Sequence, residues 1–371
     1  MSNIIQEILK DRFSFYDSAL KNDSFYWDDY FKSWVVFDYE STEMFLNHPN
    51  FSANRKKGFL EKFNIDSESK NFLSDFYSNW LMYLDGEKHE YLKNELQAIL
   101  RKTLPACKAY FEEEIETAFS CIQNSKSVDY SKKSEKIVTR IMSLLFGISE
   151  DNYSVLLKKS KACLEFLWFP SHNDQDALNT IASIEETKDF LTSLYSSNQV
   201  KNHGVLFQFL KQKNLDNSFL SLMINIIIDG HDPLVSSLKS QMFYSIENNK
   251  IMTSFDTLKA ESPFPLTARI ALEDFEFKNF SIKKNDRVIL FISSANRDKN
   301  IVNNTTKHLS FGSGVHFCPG SSIVYTVLSK VEKCIKEFNI LSSFTVTNFE
   351  WDDKFGFRTL NSLELENKEK K

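Results

Sequence analysis

Ten residues near the C-terminal end, Phe311-Gly312-Ser313-Gly314-Val315-His316-Phe317-Cys318-Pro319-Gly320, combine a thiol, an imidazole and a local excess of glycine. The 371-residue chain has nine glycines, and three of them fall here. Glycine gathers where backbone takes positive φ or approaches another group closely. An apolar run at helical spacing follows, with Ile323, Val324, Val327, Leu328 and Val331. A cysteine between a glycine-rich turn and a helix N-terminus has its thiolate stabilised by the helix dipole and by amides aimed at the sulfur. Such a sulfur suits an axial ligand to haem iron, where surrounding donors set how hard it pushes electron density onto the metal. A tight turn holding a buried free cysteine is the plainer alternative.

Three other places carry polar chemistry in apolar settings. In Asp85-Gly86-Glu87-Lys88-His89-Glu90-Tyr91-Leu92-Lys93, a histidine is followed four residues later by a cation, and a helix sets i and i+4 on one face. Arg269 lies in the β-like run Thr267–Ala271. Asp229-Gly230-His231-Asp232-Pro233 interrupts the longest helical stretch, residues 216–247, which is apolar nearly all round through Leu220, Met223, Ile224, Ile227 and Ile228. A carboxylate there is costly unless it is paired or protonated.

Taken together, these residues resemble the cytochrome P-450 superfamily. The ten-residue string matches the family's haem-binding loop, Phe-Gly-x-Gly-x-His-x-Cys-x-Gly, at every fixed position, and the likeness extends over nearly the whole chain. The resemblance implies heme b (iron protoporphyrin IX), with Cys318 as the iron ligand and Phe311 and Gly320 among the cofactor-binding residues. It implies that His89, Lys93, Arg269 and His316 hold the haem propionates, with Trp80 on the same side. The family usually has Arg where Lys93 stands; Lys keeps the charge and loses the bidentate fork. Asp256 and Lys259 occupy the family's Glu-x-x-Arg, a structural ion pair, and at i and i+3 opposite charges still meet on a helix. Asn296-Arg297-Asp298 matches another structural block, and the stretch from Asp298 to Phe311 is shorter than usual.

The largest departure lies at residues 229–233. In ordinary members an acid and a threonine hydroxyl at this place guide protons. Asp232 fills the acid position, but Pro233 replaces the alcohol, and Ser236 and Ser237 lie about one turn on. Asp229 stands where a small residue usually faces the haem. Two readings of Asp229 stay open: it grips a hydroxylated or cationic substrate or carries protons, or it points away and pairs with a lysine.

Composition sets the frame. Hydrophobic residues make up 42% and charged residues 26% of the chain, ordinary for a globular protein. The net charge of −5 gives no nucleic-acid signature. Scarce Gly and Pro favour long helices. The five cysteines, Cys107, Cys121, Cys163, Cys318 and Cys334, are scattered with no C-x-x-C, which predicts a reducing compartment. No apolar run reaches spanning length, and residues 1–10 do not form a signal peptide. The expectation is a cytoplasmic monomer with no membrane contact, mainly α with small β-sheets, forming one large P-450-like domain over residues 1–371.

The pattern predicts helices over 4–21, 40–46, from 85 onward, 109–123, 134–147, 153–168, 178–196 and 216–247, with loops and short helices over 51–80. Strands are predicted at Ser33–Phe37, Thr267–Ala271, Phe275–Phe277, Val288–Phe291, Phe344–Val346 and Phe355–Phe357, and a frayed tail at Glu364–Lys371. Phe166, Ile227, Asp229, Leu266 and Phe355 are candidate pocket-lining residues, and Trp168 and Phe169 lead into a loop at Pro170–Asp174. The first reading is a monooxygenase acting on a small molecule, free or tethered to a carrier protein, in specialised biosynthesis. A ferredoxin or flavodoxin type donor would be steered by Lys93, Arg101, Lys330 and Lys333. The rivals are the same fold running peroxide-driven or redox-neutral chemistry because of Pro233, and a non-catalytic haem-binding protein.

Overall fold

The structure is a computed structural model and describes residues 4–56, 58–168, 173–212, 217–302, 307–368 and 370. Of the expected loop Pro170–Asp174, residues 170–172 lie outside the described residues, as do Phe169 and the side chain of Trp168, while Asn173 caps a helix that Asp174 opens.

Helix α1 (Ile4–Asn22) leads into β1 (Phe25–Asp28), β2 (Ser33–Val36), α2 (Tyr39–Asn47) and β3 (Phe51–Ser52). Then come α3 (Ser67–Tyr77), α4 (Gly86–Gln123), β4 (Ser127–Asp129), α5 (Tyr130–Phe146), α6 (Glu150–Trp168), α7 (Asp174–Ser196), α8 (Val205–Gln212) and α9 (Asn217–Glu247). The last third holds α10 (Ser254–Ala260), β5 (Thr267–Ala271), β6 (Phe275–Phe277), β7 (Phe280–Ile282), β8 (Arg287–Leu290), α11 (Ile292–Ala295) and α12 (Lys299–Val302). It closes with α13 (Ser321–Glu337), α14 (Ile340–Ser343), β9 (Phe344–Trp351) and β10 (Leu360–Asn367). The mainly helical architecture with small sheets is as the composition predicts.

These elements gather into two compact units. The first comprises residues 1–55, 119–133 and 236–371; the second comprises 56–118 and 134–235. In the first unit, a five-stranded sheet has the order β1-β2-β8-β5-β3. Strand side chains alternate between faces. Accordingly Val35, Phe37, Ala268 and Ile289 pack with Ile4, Ile8 and Tyr16 of α1, while Trp34, Val36, Val288 and Leu290 pack with Phe45 and Leu46 of α2. The second unit is helical. Asn64 N–H donates to Asp174 (2.9 Å), and Tyr77 Oη donates to the Cys163 carbonyl (2.8 Å), tying α3 to α6.

Several expected boundaries move. Residues 86–123 form one helix, not two, running through Pro105. Leu96, Ile99, Leu100, Cys107, Phe111, Ile115 and Phe119 are all buried, and this unbroken apolar stripe outweighs the one hydrogen bond that proline removes. Residues 67–77 form a full helix, capped by Asp66 accepting from Ser69 N–H at 2.8 Å. Phe355–Phe357 is not a strand. The strand is β10, which takes in Glu364–Asn367 of the tail expected to fray, because Leu363 and Leu365 are buried and the backbone pairs with both β4 and β9. Among the described residues no helix is long and apolar enough to cross a membrane.

Candidate functional site

The cysteine loop folds on its own backbone. Gly312 and Gly314 take φ of +70° and +63°, the left-handed region that glycine enters without cost. Gly312 N–H donates to Leu309 (2.8 Å), Phe317 N–H to Gly314 (3.0 Å) and Cys318 N–H to the Phe311 carbonyl (2.9 Å). This last bond closes the loop and sets Cys318 three residues before the first turn of α13. His316 ends a 3-10 turn, Gly314–His316, and is half-buried, like Phe311 and Gly320. A side chain at Gly314 would run into Asn47 Oδ1 of α2, and Asn47 Nδ2 also donates to Ser313 Oγ at 3.0 Å.

Asn296, from the structural block noted in the sequence, and Ser310 and His308, which the sequence reading missed, fasten the approach to this loop. Asn296 accepts from Leu309 N–H (2.7 Å) and donates to Ser310 Oγ (2.9 Å), which in turn donates to the Leu258 carbonyl (2.7 Å). His308 Nδ1 accepts from Ser310 N–H at 3.2 Å, so the neutral ring carries its proton on Nε2, 2.8 Å from Tyr325 Oη. Burial, aided by the Lys259 charge, brings His308 down to about 4. Among the described residues no Asp256–Lys259 ion pair is seen. Lys259 Nζ instead lies 5.9 Å from the Phe255 ring centroid, and both residues line an open cleft of about 740 Å³ with Lys250, Arg297 and Lys299.

The donor set suits a carboxylated metal-porphyrin. Among the described residues no cysteine is in a disulfide; Cys107, Cys163 and Cys334 are buried, and burial pushes Cys163 up to about 12. Cys121 is exposed on α4, which leaves Cys318 as the half-buried thiol seated in a preformed loop. Arg269, in the same unit, is not an edge residue. It is buried in β5 between β3 and β8, with Nη1 donating to the Ala268 carbonyl at 3.0 Å. In the second unit, His89 is buried on α4 and Lys93 follows one turn on, half-buried. Trp80, fully buried just before this helix, has an indole N–H with no acceptor among the described residues. An orphaned buried donor calls for an acceptor such as a carboxylate. Within each unit, taken by itself, these donor types fit what haem and its carboxylates ask of a protein.

In α9 the two acids diverge. Asp232 Oδ1 pairs with Lys161 of α6 at 3.1 Å. His231 is buried with Nδ1 3.2 Å from Tyr153 Oη, and burial brings it down to about 4. Asp229 Oδ2 accepts from Asn225 Nδ2 at 2.5 Å. The sequence shows Asn225 only as one polar residue in an apolar run. Ser236 Oγ donates to the Arg358 carbonyl at 2.5 Å, so it is committed away from the place of the missing alcohol. Of the candidate lining residues, Phe166 packs on Phe59, Phe63 and Tyr77, Ile227 is buried, and Phe355 stacks on Phe31.

No family model matches the chain. It is 22% identical to the biotin biosynthesis cytochrome P450 of Bacillus subtilis (strain 168), over 98% of each chain. It is 24% identical to the polyketide biosynthesis cytochrome P450 PksS of the same organism, over 79% of this chain and 78% of the relative. The chain is a divergent cytochrome P450. Solved structures bear out the fold. P450BioI in complex with hexadec-9Z-enoic acid ligated acyl carrier protein superposes with a TM-score of 0.81 at 20% identity, covering 99% of this chain and 100% of that one. CalO2 gives 0.81 at 14% identity, covering 100% and 99%. As a P450 the protein is an oxidoreductase, and the family implies a haem cofactor.

Proposed function

We propose that this P450 is a heme b monooxygenase acting on a small organic molecule in specialised biosynthesis. The observation that carries the reading is the Cys318 loop, closed by its own amide on Phe311 and placed before α13. Cys318 ligates the iron, His89, Lys93, Arg269 and His316 hold the propionates with Trp80 beside them, and Phe311 and Gly320 line the sulfur side. The bound haem supplies the oxidising chemistry; the chain supplies binding, orientation and charge.

Asp232 and Asp229 are the catalytic-side acids. Asp232, held by Lys161, keeps a proton-exchanging carboxylate on α9, and Asp229 contacts substrate. Biosynthetic roles named for the biotin and polyketide relatives support the assignment. The acyl carrier protein bound to P450BioI supports a carrier-tethered substrate. A ferredoxin or flavodoxin type protein delivers electrons, steered by cations that include Lys93, Arg101, Lys330 and Lys333. Residues 1–371 are read as one haem-binding domain in a cytoplasmic monomer.

The test is the absorption spectrum of the reduced carbon monoxide complex, with Cys318→Ala as control. A thiolate-type Soret band that Cys318→Ala abolishes is expected; a native spectrum without that band sinks the reading. Pro233 favours a second reading, peroxide-driven or redox-neutral turnover on the same fold. Efficient coupling of donor electrons to product, unchanged in Pro233→Thr, would exclude it.

A further inference from the structure

Burial does little to hold the loop that carries Cys318. Val315 and Phe317 are 57% and 42% exposed on it, and Gly312, Gly314 and Gly320 give its backbone more freedom than other residues would. Its own bonds close it, the last from Cys318 N–H to the Phe311 carbonyl. They do not fix where the closed loop sits against the helices around it.

The residues just before Phe311 do that. Asn296, 1% exposed, caps the C-terminal end of α11. It accepts from Leu309 N–H at 2.7 Å and donates to Ser310 Oγ at 2.9 Å. A backbone amide can only donate, so Leu309 fixes which way the carboxamide points. Ser310 Oγ, having accepted, gives its own proton to the Leu258 carbonyl of α10 at 2.7 Å. Asn296, Ser310 and Leu258 therefore form one directional relay. Ser310 N–H is taken in turn by His308 Nδ1 at 3.2 Å. Ser310 is thus tied to α10 and α11, and the next residue, Phe311, receives the Cys318 amide. Asn47 of α2 makes another bond to the loop from outside, to Ser313 Oγ, but that bond is exposed and water competes for it.

We propose that Asn296 is a positioning residue for the Cys318 thiolate, acting through Ser310 to hold the loop in the arrangement that ligates iron. The inference deepens the proposed haem-thiolate reading and rests on it. The relay is made in the ligating arrangement and broken in others. Cutting it shifts the loop between the two by the combined worth of the bonds lost.

The experiment reads the reduced carbon monoxide complex of the haem-loaded protein, well below its melting temperature, as the ratio of thiolate-type to thiol-type Soret absorbance. Asn296→Leu, close in size but with neither donor nor acceptor, should lower that ratio at least about tenfold. Asn296→Asp, which keeps an acceptor for Leu309 N–H, should recover part of the loss. Ser310→Ala should lower the ratio at least about threefold in the unaltered protein and by a smaller factor in Asn296→Leu, where the relay is already cut. Arg12→Met weakens an ion pair to Glu261 elsewhere in the same unit and should leave the ratio within about twofold. An unchanged ratio in Asn296→Leu overturns the proposal, as does an equal fall in Arg12→Met, which would make the effect one of general stability. Should Asn296→Leu fail to fold, an unchanged ratio in both Asn296→Asp and Ser310→Ala overturns it instead. A native protein without the thiolate-type band sinks the haem reading; a native band with an unchanged ratio in the variants sinks this inference alone.

Discussion

Asp232 and Lys161 are joined across α9 and α6 at 3.1 Å, with side chains 36% and 43% exposed. Such a half-exposed pair contributes at most about 1 kcal/mol to stability. Its value is positional, since it fixes the direction of the carboxylate. Asp232→Asn is therefore expected to lower turnover at least about tenfold while shifting Tm by no more than about 3 °C. Lys161→Met should fall between wild type and Asp232→Asn in turnover. Steady-state kinetics beside thermal melts check this, and an unchanged kcat in both variants would remove Asp232 from the proton-handling role.

Gly314 answers a second constraint from outside its own loop. Its φ of +63° disfavours any side chain, and a Cβ would meet Asn47. Left-handed backbone alone costs a non-glycine residue about 1–2 kcal/mol. Gly314→Ala should destabilise by about 2–3 kcal/mol in urea unfolding and loosen haem retention. Adding Asn47→Ala should recover only the steric share, because the backbone cost remains.

The fold of the Cys318 loop was legible because it is local. The string Phe311–Gly320 folds through bonds between residues no more than seven apart, so its spacing carries its geometry. Arg269 was legible as a strand residue, but its burial follows from β3 and β8 on either side, which spacing does not reveal. Asn47, Asn225 and Ser310 were silent for the same reason. Each acts on a partner that only the tertiary fold brings near, as in the bond from Leu81 N–H to Asn225, 144 positions apart. Asp256 and Lys259 show the converse. Helical spacing allowed a pair with each other, but among the described residues none is seen, and both residues border a cleft. In α4 the apolar period was the better guide than the proline.

Glu261 is the hub of a buried network that sequence spacing also hides. It is 1% exposed, with Arg12 Nη1 at 3.2 Å and Arg358 Nε at 3.6 Å. Tyr244 Oη donates to it at 2.8 Å, and Arg358 lies over Trp351 at 3.5 Å. Deleting the carboxylate strands two buried guanidiniums. Glu261→Ala should cost about 3–5 kcal/mol, seen as a lowered denaturation midpoint. Arg12→Met, which leaves Arg358 as a partner, should cost less.

His231 and His308 make the fold acid-sensitive in a defined window. Each is brought from 6.5 to about 4, His231 mainly by burial and then by Lys161, and His308 mainly by burial and then by Lys259. Above pH 6.5 both are neutral whether the chain is folded or not, and their contribution is fully present. Between pH 6.5 and about 4 the unfolded chain binds protons that the native chain refuses, so stability falls as pH falls. Each histidine accounts for roughly 3 kcal/mol across that window. Below about pH 4 the native state is protonated as well and these two groups add no further slope. Urea unfolding at pH 7.5, 5.5 and 4.5 should show the decline. His308→Gln, which keeps a side-chain acceptor for Ser310 and a donor for Tyr325, should flatten it by up to about half. An equally steep decline in His308→Gln would show that its ring is not held neutral.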